Sequence, residues 1–464
     1  MNQTTTSSRP VLAGDGRGQA RERVHLISLG CPKNRVDSEV MVGKLQADDF
    51  ELVDDPESAD VIVVNTCSFI RPATEESIDT VLEMAKLKEQ GSCKKLVVTG
   101  CMVQRYGRSL EAELPEVDYF LGTGEYHRIT DVLQARAEGA PRSYVDAPLY
   151  IHDELSPRVN SWSKSSAYLK ISEGCNHRCA FCIIPTLRGR LRSRTVASLV
   201  IEARALAAQG VVELNLVSQD STAYGRDLKN ASGLGDLLQA LSEIEAVRWI
   251  RLHYAYPHGL PKGLLEQLAN NPKVCSYLDI PLQHASGPML RAMRRGVTRA
   301  GQERILQRVR DNVPGIAVRT TFIVGFPGET EDDFEELCDF VRVQRFDHVG
   351  VFSYFQEDGT PAATLDGQVP EDVKTRRHSE LMALQRAISA EKLQELVGQE
   401  VDVLIEGVSD ESELLLRGRT STQAPDVDGQ VFIASAPSGV VAGQIRRVRI
   451  TQAGDYDLVG EIVA

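Results

Sequence analysis

The stretch EGCNHRCAFC (173–182) places Cys175, Cys179 and Cys182 on one short loop at the end of a predicted strand. Three thiolates at this CxxxCxxC spacing can hold three irons of a cubane iron–sulfur cluster. The missing fourth thiolate leaves one iron open to a substrate or cofactor, as catalytic metal sites keep an open position. A zinc site with His177 as fourth ligand is the alternative, but structural zinc usually takes two CxxC-like pairs, and no second pair lies nearby. The spacing therefore favours the cluster.

Strand-like apolar runs alternate with helical periodicity around and after this loop. Six βα units follow one another over about 190 residues, fewer than the eight of a closed barrel. We therefore predict an open, three-quarter (β/α)6 barrel over residues 166–390, with its chemistry at the carboxyl ends of the strands. The six predicted strands are AYLKISEG (167–174), VVELNLVS (211–218), VRWIRLHYA (247–255), CSYLDIPL (275–282), AVRTTFIVGF (317–326) and HVGVFSYF (348–355).

The regions on either side of this barrel differ from it in pattern. Near-continuous hydrophobic strands alternating with helices predict an α/β domain with a parallel sheet over residues 23–145. A polar, turn-rich linker follows over 146–165, and residues 1–22 are expected to be a disordered tail. Short alternating strands broken by Gly and Asp predict a small all-β barrel over 393–464. The fold class is thus α/β, with an added β-barrel.

Three further cysteines share one topological position in the N-terminal domain. Cys31, Cys67 and Cys101 are 36 and 34 residues apart, about one βα unit, and each comes directly after a predicted strand. Because the carboxyl ends of parallel strands lie along one edge of a sheet, the three should converge. A buried structural role explains any one of them alone but explains three together poorly. We predict a second three-cysteine cluster site.

Composition narrows the class of protein further. The chain has 464 residues, 42% hydrophobic and 25% charged, with nine cysteines and a net charge of −13. The negative charge disfavours non-specific binding to nucleic acid and is compatible with a basic partner. No apolar run reaches bilayer length and no signal peptide is evident, so we expect a cytoplasmic protein without membrane association. Cys93, Cys275 and Cys338 are expected to be core or loop residues.

The combination of motifs resembles a known family over residues 24 to 464. The CxxxCxxC loop is similar to that of the radical S-adenosylmethionine (SAM) enzymes. Together with the upstream cysteines and a terminal TRAM-like barrel, it identifies the chain as a member of the methylthiotransferases. The resemblance implies two 4Fe-4S clusters, with SAM as both radical source and methyl donor. The cluster on the loop would bind and cleave SAM, and the cluster on Cys31, Cys67 and Cys101 would supply or carry the inserted sulfur.

The same resemblance suggests residues that contact SAM. Phe181 would touch the adenine, and Glu213 and Gln219 are candidates for binding the amino group, although the stretch has no literal Gly-Gly-Glu. Gly325 and Pro327 in FIVGFPGE (322–329) would let the backbone approach the adenine side, although this segment alone reads as a strand-to-helix turn.

A run of four alternating arginines follows the loop, with Arg192 and Arg194 as our candidates for the SAM carboxylate. The run could also bind a substrate carboxylate or an RNA phosphate. A solvated charged face is an equally good interpretation for at least two of the four. The four are Arg188, Arg190, Arg192 and Arg194.

Two branches of the family compete for the substrate. One thiomethylates an adenosine derivative in transfer RNA, and the other (RimO-type) acts on the β-carbon of an aspartate of the twelfth small-subunit ribosomal protein. Residues 393–464 carry five arginines against twelve acidic residues, so the barrel suits a basic ribosomal protein better than RNA. The stretches SLGCPKNRVDSE (28–39) and APDVDGQVFI (424–433) also look like the ribosomal-protein branch. An electron donor and a sulfur donor are further expected partners. A third hypothesis, from a different functional class, is a non-catalytic iron–sulfur electron carrier.

Overall fold

Six parallel strands form the sheet of the N-terminal domain in the computed structural model, which describes residues 21–134, 141–229 and 232–463. Most of the predicted tail over 1–22 therefore lies outside the described residues. The sheet order is β2-β1-β3-β4-β5-β6, so the three strands that precede the cysteines are adjacent. Its strands are β1 (Arg23–Ser28), β2 (Glu51–Leu52), β3 (Val61–Thr66), β4 (Lys95–Gly100), β5 (Tyr119–Leu121) and β6 (Ser143–Tyr144). Its helices are α1 (Pro32–Ala47), α2 (Arg71–Gln90), α3 (Cys101–Tyr106), α4 (Leu110–Glu113) and α5 (Ile129–Gln134).

The central domain is an open barrel of six parallel strands with helices outside. Two three-stranded sheets, β7-β10-β11 and β12-β13-β14, are joined where Ile250 pairs with Val274. A short antiparallel pair, β8 with β9, lies beside the cysteine loop. The strands are β7 (Ser166–Lys170), β8 (Ser172–Glu173), β9 (Arg192–Ser193), β10 (Glu213–Val217), β11 (Trp249–Leu252), β12 (Tyr277–Asp279), β13 (Ala317–Val324) and β14 (His348–Ser353). The helices are α6 (Ile184–Arg188), α7 (Val196–Ala208), α8 (Leu234–Ser242), α9 (Leu264–Asn270), α10 (Gly287–Ala292), α11 (Arg299–Asn312), α12 (Glu331–Gln344) and α13 (Glu371–Gln394).

Successive side chains on these strands point alternately to the outer core and to the lumen of the barrel. Ala167 and Leu169 of β7 pack into the large core beneath the helices, so the residues between them face inward. The same holds for β14, where Val349 and Val351 pack outward. The structure confirms the predicted open barrel, and each of the six predicted strands overlaps one of its strands.

The C-terminal domain is a closed five-stranded barrel in the order β15-β16-β17-β19-β18, as predicted. Its strands are β15 (Glu400–Val408), β16 (Leu416–Thr420), β17 (Val431–Ser435), β18 (Ile445–Ala453) and β19 (Leu458–Ile462). The loop between β16 and β17 enters the amino end of the central barrel. There Asp428 accepts a hydrogen bond from the Tyr277 hydroxyl (2.7 Å) and pairs with Arg319 (3.3 Å). Asp428 is therefore part of a domain interface, and its charge is not available to an external partner.

The N-terminal and central domains are tied together by buried ion pairs. Arg158, in the stretch 146–165 that contains no helix or strand, pairs with Glu39 of α1 (2.6 Å) and with Glu202 of α7. At the other edge of the open barrel, Glu357 binds Arg105 (2.8 Å) and accepts from the Arg71 amide (2.6 Å). The N-terminal domain thus contacts the chain next to both edge strands. No helix in the described residues is long and apolar enough to cross a bilayer.

Candidate functional site

Cys31, Cys67 and Cys101, here called the N-terminal triad, meet at the carboxyl edge of the N-terminal sheet. They directly follow the β1 region, β3 and β4, which are neighbours in the sheet. Gly30 has a left-handed φ of +85°, and a Cβ on it would lie 2.9 Å from Cys67 Sγ. Only glycine therefore allows this approach of the loop bearing Cys31 to Cys67. The convergence expected from strand order is what the structure contains.

The electrostatics of the N-terminal triad combine burial with two nearby cations. Burial raises the pKa of Cys101 to about 12 against the opposing effect of Arg188, whose Nη2 lies 3.6 Å from Cys101 Sγ. Burial also raises the pKa of Cys67, and the neighbouring Cys31 raises it further. For Cys31, burial is outweighed by Lys33, Arg188 and backbone amides, so its pKa falls below the usual value. Positive charge beside buried thiols favours the thiolates that an iron–sulfur cluster needs.

Cys175, Cys179 and Cys182, here called the loop triad, occupy the turn after β8 at the carboxyl end of the central barrel. The loop is fixed by hydrogen bonds from the Cys175 amide to Gly189 O (3.0 Å) and from the Cys182 amide to Cys179 O (3.2 Å). Arg295 donates to Cys179 Sγ at 3.3 Å. Burial raises the pKa of Cys175 to about 11 and that of Cys182 to about 12. The sequence argument did not identify Arg295, which no local motif marks.

The zinc alternative finds no support in the geometry. His177 Nε2 is 2.6 Å from Asp220 Oδ2, and its ring stacks on Tyr256 with centroids 3.7 Å apart. The imidazole is therefore engaged away from the thiols. Within the three described ranges, no three Cys, His, Asp or Glu side chains converge closely enough for a single metal ion. A cubane binds each thiolate at a different corner, so its ligands stand farther apart than the ligands of one ion.

Arg188 connects the two triads. It lies at the end of α6, whose residue Leu187 packs with Cys101 and Ile183. Its guanidinium binds Asp37 of α1 (2.5 Å) and Glu173 of β8 (3.2 Å), and a second donor reaches Asn34 Oδ1 (3.1 Å). Buried charges persist only when paired in this way. The network fixes the loop triad relative to the N-terminal triad, so Arg188 is not free to bind a substrate anion.

Several of the expected SAM contacts lie near the loop triad. Phe181 packs against a buried apolar cluster that includes Phe326, Met293 and Tyr354. Gly325 has a left-handed φ of +73°, and a Cβ there would collide with the Lys374 side chain. Pro327 is buried in the same turn. Gln219 follows β10 and donates to Glu173 Oε1 at 2.8 Å, which places it beside the loop.

Two of the expected SAM contacts, Glu213 and Arg194, are engaged in buried ion pairs within the protein. Glu213 is the first residue of β10, so it lies at the amino end of the barrel, where it binds Ser166 (2.8 Å), Arg251 (3.1 Å) and Arg419 (2.5 Å). Glu213 therefore lies at the opposite end of β10 from the loop triad.

Arg194 is buried and paired with Glu202, with a second donor on Ser198 (2.9 Å). It therefore serves the packing of α7. Arg192 donates from Nη1 to the carbonyl of Arg190 (2.8 Å) and from Nη2 to the carbonyl of Arg188 (3.2 Å), and Arg190 is exposed.

Comparison with known proteins agrees with this domain order. Family models match residues 23–122 (uncharacterized protein family UPF0004), 169–341 (radical SAM superfamily) and 397–463 (TRAM domain). A protein of Anaeromyxobacter sp. (strain Fw109-5), named ribosomal protein uS12 methylthiotransferase RimO, is 53% identical over 96% of this chain and 94% of its own length. A protein of the same name from Geobacter sulfurreducens is 49% identical over 96% of this chain and 99% of its own length. Another, from Myxococcus xanthus, is 52% identical over 95% of this chain and 91% of its own length.

The chain belongs to the RimO family of methylthiotransferases. It is thus a transferase with a radical SAM domain, and membership in that superfamily implies an iron–sulfur cluster and SAM. The TRAM match corresponds to the closed β-barrel, and the UPF0004 match to the parallel-sheet domain with the N-terminal triad. The identification made from the cysteine motifs is confirmed.

Solved structures share the fold at low sequence identity. The radical SAM methyltransferase TsrM from Kitasatospora setae, with tryptophan and a SAM analogue bound, gives a TM-score of 0.53 at 16% identity, covering 84% of this chain and 79% of that one. The cobalamin-dependent radical SAM enzyme OxsB, with cobalamin and SAM bound, gives a TM-score of 0.51 at 14% identity. The match covers 79% of this chain and 56% of that one. These likenesses concern the fold alone.

Proposed function

We propose that this protein attaches a methylthio group to the β-carbon of an aspartate in ribosomal protein uS12, with SAM as radical source and methyl donor. The observation that carries the proposal is the near-full-length identity, about half of all positions, to proteins named for this activity. The geometry supports it, because the reaction needs both C–H activation and sulfur delivery. Two cysteine triads, joined by the buried Arg188 network, provide a site for each.

The cysteines would hold two 4Fe-4S clusters, one on each triad. The chemistry of the side chains fits such groups, since three buried or half-buried thiols surround each position and a cation lies beside each. A reduced cluster together with SAM supplies the radical chemistry that breaks an unactivated C–H bond. The chain itself positions the thiols, excludes water from them and counters their negative charge.

Residues around the loop triad would bind SAM. Phe181 and the apolar cluster beneath it suit a flat purine ring, and Gln219 is a candidate for the amino group. Arg192 remains a candidate for the carboxylate through its Nε, which is buried without a hydrogen-bond partner among the described residues. Gly325 and Pro327 shape the turn next to this cluster. An electron donor and a sulfur donor complete the set of partners.

Two other functions are less well supported. Modification of transfer RNA requires a basic RNA-binding surface, whereas residues 393–464 carry five arginines and twelve acidic residues. A simple electron carrier requires neither an open barrel with SAM-binding features nor a second incomplete triad. The relatives' name also favours uS12 over both alternatives.

The test is a reaction of the anaerobically reconstituted full chain with SAM, a chemical reductant, and either uS12 or transfer RNA. Mass spectrometry should find one hydrogen of a uS12 aspartate replaced by SCH3, and unmodified transfer RNA. A uS12 variant with Asn in place of that aspartate is the control for the modified position. Modification of transfer RNA alone would overturn the proposal, and SAM that stays intact under reducing conditions would favour the electron carrier.

A further inference from the structure

Most of the buried cations among the described residues are paired with carboxylates. Nine lysines and arginines are buried in the part of the chain that the structure describes, and seven of them form an ion pair. The two exceptions are Lys33 and Arg295, which form no ion pair with any described carboxylate. Burial of an unpaired charge is unfavourable, so each exception requires an explanation.

Arg295 donates a hydrogen bond to a thiol, whereas Lys33 does not. Arg295 donates to Cys179 Sγ at 3.3 Å and to Pro281 O at 2.7 Å. Lys33 is 8% exposed and lies two residues after Cys31, close enough for its charge to act on that thiol, but no hydrogen bond joins its Nζ to Cys31 Sγ. Instead it lies over the ring of Tyr254, 3.5 Å from the centroid. A cation–π contact leaves the donors of the ammonium free for a further partner.

Tyr254 is held in an unfavourable backbone conformation to make this contact. Its φ is +61°, in the left-handed region that side chains other than glycine rarely adopt. Two hydrogen bonds hold it there, from its amide to Asp279 Oδ2 (3.1 Å) and from the Ser221 amide to its carbonyl (3.0 Å). The ring packs on the cluster of Val36, Tyr168 and Val217. Strain of this kind is retained at ligand-binding positions, where the surrounding structure enforces it.

The lumen of the open barrel lies next to this pair, and its last strand is exposed to solvent. Tyr168 faces the lumen because its neighbours on β7 pack into the outer core. On the last strand, β14, Phe352 also faces the lumen, yet it is 50% exposed. An inward-facing aromatic side chain at this exposure marks the open side of the barrel.

We propose that Lys33 binds the side-chain carboxylate of the substrate aspartate and thereby determines which residue is modified. This inference rests on the proposed function, since it requires an aspartate substrate. A carboxylate would supply the missing partner of the ammonium, and the Tyr254 ring would hold the ammonium in place behind it. Because Lys33 is two residues from Cys31, the adjacent β-carbon would be held beside the triad assigned to sulfur delivery. Lys33 is thus a specificity-determining residue.

The experiment measures binding of two forms of uS12 to the anaerobically reconstituted enzyme, one with Asp and one with Asn at the modified position. The wild type should bind the Asp form roughly 10- to 100-fold more tightly than the Asn form, because a hydrogen bond to a charged group contributes about this factor to affinity. In Lys33→Met this preference should fall to near one, whereas Lys33→Arg should keep most of it. Lys86→Met, at an exposed position on α2, is the matched control and should keep the full preference.

Three other outcomes would overturn the proposal. A Lys33→Met variant that still prefers Asp excludes the contact. Loss of half the iron in both Lys33→Met and Lys33→Arg would instead assign Lys33 to holding the cluster, and SAM cleavage without substrate provides a second check on cluster integrity. If the wild type binds neither form of uS12 yet binds transfer RNA, the proposed function itself fails, and this result is distinct from a loss of the Asp preference alone.

Discussion

The buried carboxylate of Glu213 allows a direct test of whether it binds SAM or joins two domains. Its side chain is fully buried, and it pairs with Arg251 of β11 and with Arg419 of the C-terminal barrel. Burial by itself raises the pKa of Glu213, but the two arginines outweigh it and hold the pKa well below the usual value. The group is therefore charged at neutral pH, and both arginines depend on that charge.

Replacing Glu213 by Gln removes the charge with little change of shape. Breaking a buried ion pair by removing one partner costs about 3–5 kcal/mol, since the remaining charge stays desolvated. We expect the lower end of this range, because Arg419 keeps Glu406 at 2.8 Å and Arg251 keeps Ser421 O at 2.7 Å. Urea m-values of about 1–3 kcal/mol/M apply to small units such as the C-terminal barrel, so a loss of about 3 kcal/mol lowers the midpoint of the transition of this barrel by at least about 1 M.

Trp249 provides the signal for this measurement. It packs with Leu404 and Ala424 of the C-terminal barrel, so its fluorescence reports docking of that barrel on the central domain. Glu413→Gln, on the barrel surface, is the control and should change the free energy of unfolding by less than about 0.5 kcal/mol. SAM cleavage per folded molecule should stay at the wild-type rate in Glu213→Gln. A variant with unchanged stability and lost SAM cleavage would refute the structural role and restore the ligand assignment.

Three further predictions concern the cysteines, one buried histidine and the barrel surface. Reconstitution should give about eight irons per chain. Replacing either triad by Ala should remove about half the iron, but only loss of the loop triad should abolish SAM cleavage; full iron content without the N-terminal triad would exclude a cluster there. Burial lowers the pKa of His152 to about 4, so as pH falls below about 6.5 only the unfolded state gains this proton, and stability is lost until about pH 4. His152→Gln should therefore lose about 1 kcal/mol less than the wild type between pH 6.5 and 5.5 in urea unfolding, and equal losses would contradict this. Reversing Asp410, Glu411 and Glu413 to Lys should slow association with uS12 at low salt and leave SAM cleavage unchanged; an unaffected association rate would exclude steering by this surface.

The strands, the domain order and the meeting of Cys31, Cys67 and Cys101 could all be predicted without a structure. Local patterns carry this information, because a continuous apolar run between turns forms a buried strand and parallel strands end along one edge. The loop triad was the simplest case, since its three cysteines lie within eight residues.

The roles of individual charged residues depended on partners far away in sequence. Arg188 and Arg194 look alike in an alternating basic run, yet Asp37 lies 151 residues from the first and Glu202 eight residues from the second. Glu213 meets an arginine 206 residues away, and Asp428, counted as surface charge, pairs with Arg319 inside a domain interface. Lys33 is exceptional because neither a described carboxylate nor a hydrogen-bonded thiol pairs with it, whereas Arg295 has Cys179. Periodicity and spacing determine where the backbone goes, whereas the pairing of buried charges is decided by packing between domains, which no local pattern encodes.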